Sequence, residues 1–271
     1  MKTSFRVLLF ATAATCMTAS ASAQLFVGSD NFDSGADTAW AYAFRLPGGV
    51  SGNGQMTFSN QRLDFSKNAG AGSYFLGWDG DGAGTNSRTL ASFTTSWVAD
   101  LTVTNTLAGL SSGEFTTVGF QIAGNNFQYS SIMLGANSGG YIVRAEGSGF
   151  SAVNVSTVDS SDVQLRLSWD AGTQALSTFY RFDSGAYTAL ATFNPVSNWT
   201  SGATASGFYF DVFGNSNLAS AISVGSVYAD NFSVSAIPEP STYAALAGAA
   251  ALGLAVWRRR RAQAPTATPR A

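Results

Sequence analysis

"VQLRLSWDAGTQALSTFY" (residues 163–180) decides the fold. Val163, Leu165, Leu167 and Trp169 alternate with Gln164, Arg166 and Ser168. A period of two puts the four apolar side chains on one face of a strand and the polar ones on the other. Asp170-Ala171-Gly172-Thr173 supplies turn residues, and an aromatic strand returns from it. The unit is a hairpin with one apolar face, and such a face is stable when a second sheet covers it.

The same period recurs on both sides of this hairpin. Trp97, Ala99, Leu101 and Val103 share a face, as do Val118, Phe120 and Ile122. Tyr141, Val143 and Ala145 form another such set, and Phe208, Phe210 and Val212 a fourth. Clusters of Gly, Asn, Asp and Ser separate the runs, and no stretch of the body has a convincing helical pattern. The expected fold class is all-β, an antiparallel β-sandwich in one domain over residues 24–236, about 213 residues. "SDNFDSG" opens this body and "ADNFSVS" closes it. A strand ending in Trp169-Asp170, a tight turn and an aromatic strand resemble the later hairpins of concanavalin A-like lectin/glucanase jelly rolls. That resemblance implies that the first and last strands lie together. An immunoglobulin-like sandwich is the rival, and the length and the missing Cys…Trp…Cys framework weigh against it.

The two ends differ from the body. Lys2 and Arg6 precede an apolar run, and Ala21 and Ala23 place small residues at the −3 and −1 positions of a cleavage site. This is the pattern of a cleavable N-terminal signal helix over residues 1–23. The single cysteine, Cys16, would leave with it, so the mature body would hold neither a disulfide nor a thiol nucleophile. Near the other end, residues 241–257 carry no charge. A helix of that length spans about 25 Å, just short of a hydrocarbon core of about 30 Å. Much of it is Ala and Gly, so it is only marginally apolar. Trp257 suits an interface, and Arg258, Arg259, Arg260 and Arg261 suit the cytoplasmic side. One C-terminal transmembrane helix is therefore expected.

Pro238, Glu239 and Pro240 stand just before that helix. Two prolines hold the chain extended and remove two backbone donors, which leaves a strip that a processing enzyme can grip. The order of triplet, short apolar helix and arginine cluster resembles the PEP-CTERM sorting signal of Gram-negative bacteria, over residues 237–262. The resemblance implies recognition by an exosortase-type membrane enzyme. It also implies a temporary anchor in the inner membrane and delivery to the cell surface or extracellular matrix. Residues 263–271 continue past the arginines and are expected to form a disordered tail.

The body holds seven bases against fifteen acids, a net charge of about −8, whereas the whole chain carries −2. It has no basic track for phosphates, so nucleic acid is not an expected partner. Histidine is absent, which removes the Ser-His-Asp triad and most zinc sites. Glu114 and Glu146 are the only glutamates of the body and lie in different segments, without the paired spacing of glucanases of the concanavalin A-like fold. The expectation is a protein that is not an enzyme.

"WDGDGAGTN" (residues 78–86) places Asp79 and Asp81 in a Gly-rich loop, but Ala83 and Leu90 break the EF-hand pattern. A better calcium candidate is the set Asp30, Asn31 and Asp33, joined by Asp230 and Asn231 if the termini meet. Trp97 and Trp169 are in phase with apolar neighbours and belong to the core. Trp78 and Trp199 sit beside Gly, Asp and Asn and are candidates for an exposed sugar-stacking face; the competing reading makes them core residues too. The expected role is structural or adhesive, in an exopolysaccharide-rich envelope. A carbohydrate-binding lectin-like module is the alternative, and a glycan-active enzyme comes third.

Overall fold

The computed structural model describes residues 28–32, 42–45, 54–70, 73–79, 90–124, 128–157, 161–199, 208–237 and 240–262. The signal residues Ala21 and Ala23, Asp33, Asp81, Pro238, Glu239 and the tail 263–271 lie outside the described residues. In chain order the strands are β1 (Gly28–Asp30), β2 (Tyr42–Arg45), β3 (Gly54–Ser59), β4 (Arg62–Lys67), β5 (Tyr74–Asp79), β6 (Leu90–Ala91), β7 (Trp97–Asn105) and β8 (Phe115–Gly124). They continue as β9 (Tyr129–Asn137), β10 (Gly140–Gly147), β11 (Phe150–Thr157), β12 (Asp162–Asp170), β13 (Ala175–Arg181), β14 (Thr188–Phe193), β15 (Phe208–Ser216) and β16 (Val227–Ala236).

These strands form two eight-stranded sheets. The first runs β14-β13-β12-β7-β16-β4-β3, with β1 added to β16. The second runs β11-β10-β9-β8-β15-β5-β2, with β6 added to β15. The pairings are antiparallel throughout the described strands. This is the all-β antiparallel sandwich that the alternation predicts. Its strand number exceeds the seven to nine of an immunoglobulin domain.

The hairpin of residues 163–180 forms as read. In β12 the pattern is strictly alternating, with Val163, Leu165, Leu167 and Trp169 all buried. Trp169 pairs directly with Trp97 across β12 and β7. From the second sheet, Val118, Phe120, Ile122, Phe210 and Val212 close the core at zero exposure. Trp97 meets Phe210 edge-on with ring centroids 5.1 Å apart, so the two sheets are joined there by aromatic contact.

The C-terminal segment forms a helix, Pro240–Ala262. The expectation of a membrane-crossing helix is not confirmed: no helix among the described residues is long and apolar enough to cross a membrane. The physical reason lies in composition. Alanine and glycine fill residues 241–257, and the larger aliphatic side chains are limited to Leu246, Leu252, Leu254 and Val256. The helix is exposed along residues 247–259, with Leu252 at 70% and Trp257 at 50% exposure.

Candidate functional site

The first and last strands pair, with Asp30 opposite Phe232. The two Asp-Asn-Phe segments therefore meet, and both deliver a phenylalanine to the core. Phe32 and Phe232 are fully buried. The Phe232 ring lies 5.6 Å from that of Phe210 and 6.1 Å from that of Phe120, and Phe32 lies 6.3 Å from Phe58. Each segment contains one left-handed residue, Phe32 at φ 56° and Asn231 at φ 51°. Each aspartate supports its turn: Phe32 N donates to Asp30 Oδ1 at 2.7 Å, and Asn231 N donates to Asp230 Oδ1 at 2.6 Å. At Asn231 strand β16 bulges against β7, between Asp230 and Ser233. Burial pushes the Asp230 carboxyl above its usual range, against the opposing pull of the Asn231 amide and Arg62. Among the described residues no group of three or more carboxylates could hold a metal ion.

Of the two candidate stacking tryptophans, Trp199 requires correction. It is 4% exposed and packs edge-on against Phe93 at 6.1 Å. The cause is local. Residues Pro195–Asn198 make one helical turn, capped by Asn194 Oδ1, which accepts from Ser197 N at 3.1 Å. Trp199 N then donates to Pro195 O at 2.8 Å and the chain leaves in extended geometry. The polar residues beside Trp199 in sequence thus do not keep its ring at the surface, and a ring so buried offers no stacking face to a sugar. Trp78 lies in β5, directly across from the fully buried Val212 of β15.

A polar row that no local spacing reveals crosses the outer face of the second sheet. The pairing register aligns Asp79, Asp211, Gln121, Ser131 and Glu146 on β5, β15, β8, β9 and β10. Gln121 Nε2 donates to Asp211 Oδ2 at 2.7 Å, and Ser131 Oγ donates to the Glu146 carbonyl at 3.2 Å. Asp211 and Ser131 are buried, although they lie on the face turned away from the first sheet. In the next row Phe213, Gly119, Met133 and Arg144 are aligned, and Phe213 stacks on Phe75 at 5.4 Å. Arg144 Nε donates to Glu146 Oε2 at 2.8 Å. Phe213 is itself buried, so it packs beneath the row, and the half-buried Gln121, Arg144 and Glu146 are the polar groups left to meet a ligand.

The same row limits the chemistry. Asp211 and Glu146 are three strand spacings apart, about 14 Å. Glycosidase carboxylates stand about 5–9.5 Å apart. Glu114 lies elsewhere, in a turn where its carboxylate accepts from Ser111 N at 3.0 Å, and this bond holds its pKa below the usual range. In the backbone register Asp79 stands opposite Asp211 on the adjacent strand. Sequence reading passed over that pair because 132 positions separate its members.

The sorting segment adjoins the last strand. Pro240 opens the C-terminal helix, and the exposed Arg258 and Arg259 precede Arg260 and Arg261 near its end. Residues 236–261 match the model of the PEP-CTERM protein-sorting motif. That motif implies processing by an exosortase, a membrane enzyme, of an exported protein that is membrane-anchored in transit. Comparison with curated proteins finds no match. Among solved structures, the CBM2 module of the evolved Dit of Lactobacillus casei phage J-1 matches at 12% identity and a TM-score of 0.46, covering 77% of this chain and 94% of that one. Lectin I-B4 from Griffonia simplicifolia, in its metal-free form, matches at 10% identity and a TM-score of 0.42, covering 73% and 100%. A bifunctional GH43-CE protein of Bacteroides eggerthii matches at 13% identity and a TM-score of 0.49, covering 78% of this chain but 26% of that one. At such identities a shared fold carries neither ligand nor activity.

Proposed function

We propose that this chain is an exosortase substrate of a Gram-negative envelope, exported by residues 1–23 and held in transit by its C-terminal helix. It is then delivered to the cell surface or matrix, where its sandwich has a structural or adhesive role among exopolysaccharides. The observation that carries this reading is the sorting motif at residues 236–261, placed directly after the last strand of the body. The helix is short and rich in alanine, and Arg258 to Arg261 would stop its transfer by the positive-inside effect. A weakly apolar span suits an anchor that is later released. The body is read as a concanavalin A-like jelly roll, a reading supported by its paired first and last strands. It is read as non-enzymatic, with the spacing of Asp211 and Glu146 in support.

Replacing Pro238, Glu239 and Pro240 together by alanine should trap the protein in the inner membrane with its tail attached. Fractionation with a C-terminal epitope reads this directly. A variant that reaches the surface and loses its epitope like wild type would end the sorting proposal. Activity on a panel of polysaccharides, lost in Asp211→Asn, would end the non-enzymatic one.

The lectin-like alternative is favoured by one observation, the half-buried polar groups of Gln121, Arg144 and Glu146 on the outer face of the second sheet. Glycan-array binding that is lost in Gln121→Ala separates it from a purely structural role. Calcium at the joined termini is a distinct proposal, supported by the β1–β16 pairing of two oxygen-rich segments. A bound ion at a hundred times its dissociation constant would add about 2.7 kcal/mol. Chelation should then lower the melting temperature, and Asp33→Ala should abolish the response. An identical melting temperature with and without chelator removes calcium from the account.

A further inference from the structure

The outer face of the first sheet carries a second polar cluster, remote in topology from the rows on β15, β8 and β9. Arg166 on β12 stands directly across from Asp100 on β7. Its Nε and Nη2 donate to Asp100 Oδ1 and Oδ2 at 2.7 and 2.9 Å, a two-pronged ion pair. Tyr187 lies in the segment between β13 and β14, and its hydroxyl donates to Asp100 Oδ1 at 2.8 Å. The Asp100 carboxylate is therefore fully engaged. The Arg166 guanidinium lies over the Tyr187 ring, with Cζ 3.8 Å from the centroid. Burial and the Asp100 bond push the Tyr187 hydroxyl up to about 12, so it remains a neutral donor.

Arg181 on β13 is held in a different way. Its Nε donates to Gln164 Oε1 at 2.7 Å, and its Cζ lies 4.5 Å from the Tyr187 ring centroid. Two contacts fix the plane of the guanidinium, yet neither uses Nη1 or Nη2. Among the described residues those two nitrogens donate to nothing. Arg181 lines a cavity of 220 Å³ together with Thr102, Asn231, Ser233 and the Asp100–Arg166 pair, whose opposite charges offset each other. A fixed guanidinium with both Nη groups available presents a planar fork that matches a carboxylate. Ser233 and Thr102 carry neutral hydroxyl groups, suited to the hydroxyls of a sugar. The volume is below the about 300–1,000 Å³ of drug-sized sites and fits one sugar ring rather than a long segment.

We propose that this cleft binds the carboxylate of an acidic sugar residue, with Arg181 as its two-pronged anchor and Thr102 and Ser233 meeting its hydroxyls. The proposal rests on the reading of this chain as a protein of a polysaccharide-rich envelope and names the class of polysaccharide. A net charge of about −8 on the body makes indiscriminate attraction of polyanions a poor alternative, because the wider field repels them. Recognition has to be local, and Arg181 is the group positioned to provide it.

The test is titration of the purified full-length protein with polygalacturonate, with its methyl ester, with dextran sulfate and with polyglutamate. Polygalacturonate should bind at least tenfold more tightly than each of the other three. Arg181→Gln should lose at least tenfold in affinity for polygalacturonate and bind it no better than the ester. Arg181→Lys, which keeps the charge but not the fork, should fall between the two. Both variants should melt within about 2 °C of wild type, since Arg181 is only half-buried and surface changes cost little. Equal binding of acid and ester by wild type, or no binding of polygalacturonate, overturns the proposal. So does wild-type affinity in both folded variants. Equal or tighter binding of dextran sulfate would overturn it in favour of a sulfate ester, and of polyglutamate in favour of an acidic peptide. Sorting is read by fractionation of the Pro238-Glu239-Pro240 variant in cells, so either result can fail while the other stands.

Discussion

Gly119→Ala should destabilise the body by about 3 kcal/mol, the upper end of the range for inserting atoms into a tightly packed site. A Cβ at Gly119 would stand 2.6 Å from Met133 Cα and 2.7 Å from Met133 Cβ, and would also strike the Ile132 carbonyl oxygen. Two of these three obstacles are backbone atoms of β9, so no side-chain rotation relieves the contact. The β8–β9 pair would have to separate, at the centre of the second sheet. Gly135→Ala, one strand over, is the control. There the nearest atoms are side-chain carbons, Ile142 Cγ1 at 3.0 Å and Thr117 Cγ2 at 3.2 Å, which can give way. A domain of this size loses about 2–4 °C of melting temperature per kcal/mol. Gly119→Ala should therefore melt about 6–12 °C lower, with Gly135→Ala much nearer wild type. Similar melting of the two variants would show that β8 and β9 separate easily.

Alternation made the strands legible, because a period of two is a local property and burial on one face selects for it. It was silent about the opposite face where both faces are buried. In β8 and β9 nearly every position is inaccessible, and Ser131, Met133 and Thr117 gave no warning of it from their own chemistry. Trp199 misled because its environment follows from a single helical turn, not from strand phase. The pairing of the Asp-Asn-Phe segments could be expected from the resemblance to jelly rolls, which implies that the first and last strands lie together. Their use as supports for buried phenylalanines could not, because it depends on one left-handed residue in each. The polar clusters were hidden for a different reason. Gln121 and Asp211 are 90 positions apart, and Asp100 and Tyr187 are 87 apart, so only the tertiary fold brings them together.

Trp97→Ala should cost about 3–5 kcal/mol, the usual range for truncating a buried aromatic. With Cys16 in the signal segment, the mature body is expected to have no disulfide, and its stability then rests on burial. Trp97 is fully buried, directly opposite Trp169 in the first sheet and edge-on to Phe210 in the second. Its Nε1 donates to the Ser92 carbonyl at 2.8 Å, and truncation leaves that buried acceptor without this donor. Trp97→Phe separates the two contributions. It retains most of the apolar contact with Phe210 but loses the N–H, so it should cost about 1–3 kcal/mol, the range for an abandoned buried acceptor plus a small void. Urea denaturation of the two variants measures both numbers. A loss below about 1 kcal/mol for Trp97→Ala would mean that the two sheets are held together elsewhere, and that the aromatic contact between β7 and β15 is not the seam of the sandwich.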